Sequence, residues 1–294
     1  MSMNKDFNVK KILIPFDFSD TAALSLEHAV NMAKLKQAEI VLLHIVETVT
    51  LPSSISHAFS GFEKKVESAS NEKLQELADN LHLQHGVPVH ILTDVGKIYK
   101  QITHTAKQAH IDLIIMGTHG AEGHKYSIGS NTTRVVQESP CPVLAVQHMA
   151  KRMGFERIIL PVDDSPESRQ KVNHALEMAQ LYNSEIIVVG LMGSNGEEYS
   201  RKFRIKIEQV EDWLNEHGVK CTSQIVQSDD RAKTTLRVAE ENKGDLIIIM
   251  TEQEPSITGL LMGTYASKVI NHSKIPVMTV RPAEVDPDRI TVTF

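Results

Sequence analysis

The segment K-I-L-I-P-F-D-F-S, from Lys11 to Ser19, returns 146 residues later as R-I-I-L-P-V-D-D-S, from Arg157 to Ser165. Both copies are short apolar runs that end in proline, an acid and a serine, which reads as a strand handing over to a helix. At the same offset A-E-I-V-L-L-H (Ala38 to His44) becomes S-E-I-I-V-V-G (Ser184 to Gly190), so two strands and the helix between them occur twice. Self-similarity on this scale organises the whole chain. Further on, His85-Gly86 recurs at His217-Gly218, D-L-I-I-M from Asp112 as D-L-I-I-I-M from Asp245, and S-P-C-P-V-L-A-V from Ser139 as S-K-I-P-V-M-T-V from Ser273. The residues lost between copies come mostly from the connection after the second strand. There Glu47 to Ser60 reads as a long Ser-, Thr- and Pro-containing loop, suited to a flexible lid, and its counterpart around Gly193 to Gly196 is short. The 294 residues suit two domains, 1–150 and 151–294, each large enough to bury its own core.

Within the first copy, strands are expected at Lys11 to Phe16, Ile40 to Val46, Val87 to Leu92, Leu113 to Met116 and Val143 to Val146. Between them lie stretches with helical spacing, such as Leu26, Ala29, Val30 and Ala33. Continuous apolar strands between amphipathic helices imply a parallel sheet covered on both faces. Ser165 followed by Pro166 reads as a helix N-cap with proline at the first helical position. The two His-Gly pairs fit helix C-termini, glycine taking the left-handed position.

Composition narrows the function classes. With 41% hydrophobic and 23% charged residues, the chain is an ordinary globular one, and no apolar run approaches a bilayer-spanning length. The charged start M-S-M-N-K-D-F-N-V-K-K lacks the apolar core of a secretory signal, so a cytoplasmic location is expected. Two cysteines far apart, Cys141 and Cys221, exclude a disulfide framework. A net charge of −6 offers no basic stripe for nucleic acid. Among the fourteen histidines, His82, His85 and His90 form the tightest group, but their placement near a helix end suits capping better than a metal site. Mixed-charge runs such as Glu63 to Glu67 and Arg201 to Glu211 read as solvated helix faces.

Open parallel sheets take ligands outside the carboxyl ends of their strands, where strand order reverses. Two connections have the residues for this. One follows the first strand, Pro15-Phe16-Asp17, with Ser19 or Asp20 capping the next helix. The other follows the fourth strand, M-G-T-H-G-A-E-G-H-K-Y-S-I-G-S-N-T from Met116 to Thr132. Its glycines allow close backbone approach, and Gly129-Ser130-Asn131 opens a helix whose N–H groups and dipole suit phosphate. His119 and His124 lie inside that loop, most simply as solvated side chains.

At these residues the chain resembles the tandem, two-domain type of universal stress protein, whose ATP-binding members carry an Asp after strand one and a G-x2-G-x9-G-(S/T) loop after strand four. Gly117, Gly120, Gly129 and Ser130 match that loop, with eight residues instead of nine in the second gap, and Pro15, Phe16 and Asp17 match the adenosine-contacting turn. The resemblance places Ile45 and Met116 against the adenine and Asn131 beside Ser130 at the phosphates. It implies an α/β fold of two repeated doubly wound domains, each a five-stranded parallel sheet of order 3-2-1-4-5 flanked by helices. It further implies an adenine nucleotide (ATP, ADP or AMP) as ligand, and pairing of the two copies within the chain through Val143 to Val146 and Val277 to Val280, with a homodimer as the further option. The protein partner is left open.

No catalytic set stands out: there is no G-x4-G-K-(S/T), no G-x-S-x-G and no His-Glu-x2-His. A regulatory or sensing module binding a nucleotide is therefore favoured, with a slow ATP hydrolase and a nucleotide-free interaction module as alternatives. The second copy is expected not to bind a triphosphate. Aligning the two methionines of strand four puts Thr251 at Gly117 and Glu254 at Gly120, leaving only Gly263-Thr264 of the motif. Glu252 and Glu254 would then face phosphate, at about 4 kcal/mol per contact for an effective dielectric of ~20, and Pro255 would remove a donor. Asp163 and Thr264 read as structural remnants.

Overall fold

The computed structural model describes residues 7–47, 53–118, 129–165, 167–193, 197–251, 253–256, 259–262 and 264–282, with backbone alone for 53–66 and 253–264. Two compact units emerge, one from Val9 to Met153 and one from Gly154 onward joined by Phe7 and Asn8. The first unit runs β1 (Lys11–Pro15), α1 (Asp20–Lys36), β2 (Glu39–Val46), α2 (Ser53–His85), β3 (Val89–Val95), α3 (Ile98–Gln108), β4 (Leu113–Gly117), α4 (Ser130–Glu138) and β5 (Val143–Val146). Its strands pair in parallel in the order β3-β2-β1-β4-β5. The second unit runs β6 (Arg157–Val162), α5 (Val172–Tyr182), β7 (Glu185–Met192), α6 (Glu197–Glu216), β8 (Cys221–Gln227), α7 (Arg231–Glu241), β9 (Leu246–Met250), β10 (Gln253–Ser256), β11 (Gly259–Met262), α8 (Thr264–His272) and β12 (Val277–Val280). Its parallel order, β8-β7-β6-β9-β12, is the same 3-2-1-4-5 arrangement in both units.

Consecutive strand residues point to opposite faces, yet Ile12, Leu13 and Ile14 are all fully buried, as are Ile158, Ile159 and Leu160. Helices therefore cover both faces of each sheet. Helix α1 starts where the Ser19 Oγ accepts the Ala22 N–H at 3.2 Å, so Ser19 and not Asp20 is the cap, and it ends at left-handed Gln37 (φ 54°). Its Leu26, Ala29, Val30 and Ala33 form the buried stripe read from their spacing. Gly86 (φ 68°) and Gly218 (φ 78°) follow α2 and α6 in the left-handed conformation expected of them. The recurring acids of strand four are structural: Asp112 Oδ2 accepts the N–H groups of Lys10 and Lys11, and the Asp245 carboxylate those of Glu156 and Arg157. Each clamps the start of one central strand to the start of the next.

Two sequence readings change. Helix α2 begins at Ser53, so most of the stretch expected as a Glu47 to Ser60 loop is helical, and residues 48–52 lie outside the described ones. Ile55, Phe59, Phe62 and Val66 recur at helical spacing there, a pattern masked by the Ser and Pro content. Ser165 caps a 3-10 turn, Glu167–Arg169, through a 3.3 Å bond from the Ser168 N–H, and not an α-helix; α5 starts only after Lys171. The buried Lys171, 2% exposed, lies between the turn and α5, its ammonium donating to the Ser168 carbonyl at 2.6 Å and hydroxyl at 2.9 Å.

Among the described glycines the tightest surroundings are at Gly244, where an added Cβ would lie 2.5 Å from Ile159 Cγ1. Gly244→Ala should therefore destabilise the second unit by about 1–3 kcal/mol through overpacking. Urea unfolding would show a lowered midpoint, and an unchanged one would refute the contact.

Candidate functional site

Pairing of β1 with both β2 and β4 brings the carboxyl ends of three strands together. In register Pro15 lies against Leu43, and Leu13 against Ile114, so Pro15, Phe16 and Asp17 stand between Ile45 on one side and Met116 and Gly117 on the other. This is the point where the chain order turns, β1 leading to β2 on one flank while β4 occupies the other. Asp17 is exposed and opens an Asx turn: its Oδ1 accepts the Ser19 N–H at 3.1 Å and the Ser19 hydroxyl at 2.5 Å. Phe16 is buried, with its N–H on the Leu43 carbonyl and its carbonyl accepting His44 Nδ1–H at 2.8 Å. Its contribution is thus to pack and orient the turn. Met116 is likewise buried at 6% exposure, and Ile45 half-buried.

The second wall is the start of α4. The Gly129 N–H donates to the Thr118 carbonyl at 2.8 Å, and Thr132 Oγ1 donates to the Gly117 carbonyl at 3.1 Å. These two bonds staple the helix N-terminus to the end of β4 and close the neck of the intervening loop. Gly129, the N-cap, has no side-chain bond to the first turn, whose N–H groups have no partner within the helix. The N–H groups of Ser130 and Asn131, with the positive end of the dipole behind them, are set to receive an anion. Gly120, His119 and His124 lie outside the described residues. Thr118 and Thr132 were missed by reading for glycine. The recurrence of threonine at Thr118 and Thr251 was the available signal.

The second unit handles the same place differently. Gly117 pairs with Val146 and Met250 with Val280, while the N–H groups of Thr118 and Thr251 donate to those same two partners at 3.0 and 2.8 Å. Met250 therefore stands at Gly117 and Thr251 at Thr118, which corrects the alignment of Thr251 with Gly117; the register runs from the Asp112 and Asp245 clamps, not from the methionines. Gln253 then falls at Gly120. Beyond Thr251 the backbone pairs with itself as an antiparallel hairpin, Gln253 with Met262 through Ser256 with Gly259.

The acid of the second unit is also engaged. Asp163 Oδ1 holds the same Asx turn to Ser165 at 3.1 and 2.7 Å, but its Oδ2 accepts Arg231 Nη1 at 2.6 Å from the start of α7. Burial pushes the Asp163 carboxyl up, but the Ser165 bonds and the charges of Lys171 and Arg231 outweigh it and leave it below its ordinary value. The helix in the first unit equivalent to α7 begins with uncharged Ile98.

Burial pushes the thiol of Cys141 up to about 11 and that of Cys221 to about 12, which disfavours the thiolate in both. His82 Nδ1–H donates to the Val87 carbonyl at 3.2 Å and His90 lies 3.4 Å from Glu39, so both have structural partners. No helix among the described residues is long and apolar enough to cross a membrane.

The profile of the universal stress protein family matches this sequence twice, over residues 8–147 and 154–281. The chain belongs to the universal stress protein family. Universal stress protein MJ0577 of Methanocaldococcus jannaschii is 35% identical over 153 residues, covering 47% of this chain and 94% of its own. A universal stress protein of Mycolicibacterium smegmatis is 23% identical over 290 residues, 92% of this chain and 97% of its own. In fold, this universal stress protein is similar to one from Archaeoglobus fulgidus, with a TM-score of 0.74 at 20% identity, covering 95% of this chain and 99% of that one. The two matched segments follow the two units, so the tandem organisation is a doubling of one family domain.

Proposed function

We propose that this universal stress protein is a cytoplasmic sensing or regulatory module that binds one adenine nucleotide per chain, in residues 1–150, and none in residues 151–294. The reading is carried by the stapled N-terminus of α4: two uncapped N–H groups at the mouth of a glycine-bearing loop, across the strand ends from the exposed Asp17. The base would lie between Ile45 and Met116, the ribose hydroxyls on the Asp17 carboxylate, and the phosphates on Ser130 and Asn131. Gly117, Gly120 and Gly129 would let the backbone close around them. Support for a single site comes from the second unit, where Arg231 occupies Asp163 and a paired hairpin follows Thr251.

Calorimetric titration of the full chain with ATP, ADP and AMP is the test, together with chromatography of nucleotide extracted from the purified protein. A single-site isotherm is expected. Two sites per chain would overturn the closed second unit, and no saturable heat with any of the three would overturn the reading altogether.

A further inference from the structure

Gln147 follows β5 directly and is buried without being paired. The side chain is 7% exposed, yet neither its Nε2 nor its Oε1 has a hydrogen-bond partner among the described residues. A buried amide gives up its bonds to water, and leaving both ends unmatched costs more than an apolar side chain of the same shape would. Native chains seldom keep such a group without a use for it. In the second unit Val280 takes the Thr251 N–H as Val146 takes that of Thr118, so Arg281 stands at the place of Gln147. Arg281 is exposed, and burial at this position is therefore not a demand of the fold.

The register fixes the side on which the amide lies. Gly117 pairs with Val146, and the bond from the Thr118 N–H to the Val146 carbonyl continues that ladder and sets Gln147 beside Thr118. Register partners share a face of the sheet, as do alternate positions along one strand. Met116 pairs with Ala145, Leu13 with Ile114 and Pro15 with Leu43, so Gln147 projects on the same face as Met116, Pro15 and Ile45. Thr93, by contrast, bonds Asn71 of α2 and shares the opposite face with His44. Right-handed crossovers place α3 and α4 on the side away from α1 and α2. The amide thus lies on the side that α4 covers, at the end of the strands where the Thr118 carbonyl holds the Gly129 N–H and α4 begins.

An uncapped helix start and a buried amide with nothing to bond meet at one place. We propose that Gln147 is a specificity-determining residue of the nucleotide site, its Nε2–H group donating to a phosphate beyond the first and so favouring ATP and ADP over AMP. The inference rests on the nucleotide reading above. With the base at Ile45 on β2 and the ribose at Asp17 after β1, the phosphates run toward β4 and β5. Strand β5 is three strand spacings, about 14 Å, from β2. At that distance from the base stand the later phosphates of an extended nucleotide, not the first.

Calorimetric titration of the full chain with ATP and AMP, in wild type and in Gln147→Met, tests this beside urea unfolding. Methionine keeps the length of the side chain and removes both polar ends. ATP should bind about tenfold more weakly to Gln147→Met, AMP with unchanged affinity, and the urea midpoint should stay level or rise because no native hydrogen bond is lost. Unchanged ATP affinity would overturn the phosphate role, and so would an equal loss for AMP, which would put the amide at the part the two nucleotides share. A lowered urea midpoint would show that the amide is bonded within the folded chain and would sink the idea as well. Should Gln147→Met fail to fold, Gln147→Leu carries the same expectations, and failure of both to fold counts against an unpartnered amide. A wild type that binds neither nucleotide removes the nucleotide site itself, whereas ATP binding that Gln147→Met leaves intact removes this inference alone.

Discussion

Gly129→Val is expected to bind ATP at least 100-fold more weakly than wild type while keeping its fold. Gly129 sits at φ −63° and ψ 145°, ordinary extended backbone that valine adopts without strain. A Cβ there would lie 3.4 Å from the Thr118 carbonyl oxygen, normal van der Waals contact. Glycine is thus not demanded by the backbone of the free protein, and the stability cost is that of a poorer N-cap, about 1 kcal/mol. Residue 129 directly precedes Ser130 and Asn131, so the two valine methyls are expected to crowd the approach of phosphate to their N–H groups. Hydrogen bonds to a charged acceptor contribute about 1.5–3 kcal/mol each, so excluding phosphate from both removes ~3 kcal/mol or more, two powers of ten in affinity. Calorimetric titration beside a melting curve separates binding from folding, and undiminished affinity would show that phosphate does not lie at α4.

Acid should cost the second unit about 3 kcal/mol between pH 7 and pH 4, through His174. This side chain lies on α5 against the Phe7 ring, 4.6 Å between centroids, and burial holds its imidazole down at about 4 from an ordinary 6.5. The Gln170 carbonyl one turn earlier offsets little of this, and Nδ1 makes no hydrogen bond of normal geometry. With the folded value depressed, the unfolded chain takes up the proton first as pH falls. Stability is then full above about pH 6.5 and lost on the way down to about 4, at ~1.4 kcal/mol per pH unit. His28, its repeat counterpart on α1, is also lowered by burial, with its Nε2–H on the Ala150 carbonyl at 2.8 Å, and acts in the same direction. Urea unfolding at a series of pH values should show the loss, and His174→Leu should remove about 3 kcal/mol of it. An equally steep profile in that variant would place the acid sensitivity elsewhere.

Much of this protein was legible because its information is local. The apolar strands alternating with amphipathic stretches, the helix cap at Ser19 or Asp20, the two His-Gly helix ends and the helix opening at Gly129-Ser130-Asn131 all depend on residues within a few positions of each other. Periodicity and turn chemistry act on that scale, and the folded chain keeps them. The helical reading of residues 53–60 was equally local but was outweighed by composition, which is a weaker guide than the spacing of Ile55, Phe59 and Phe62.

What only the tertiary structure decided depends on contacts made across the sequence. The match of Met250 to Gly117 is set by ladder pairing and by the Asp245 clamp, 88 and 89 residues from the N–H groups it holds. Arg231 reaches Asp163 over 68 residues, a pairing that the segment P-V-D-D-S does not contain. Gln147 reads as an ordinary polar residue after V-L-A-V until burial leaves its amide without a partner among the described residues. A side chain's partner, or its lack of one, is a property of packing between distant segments, and no window of sequence contains it.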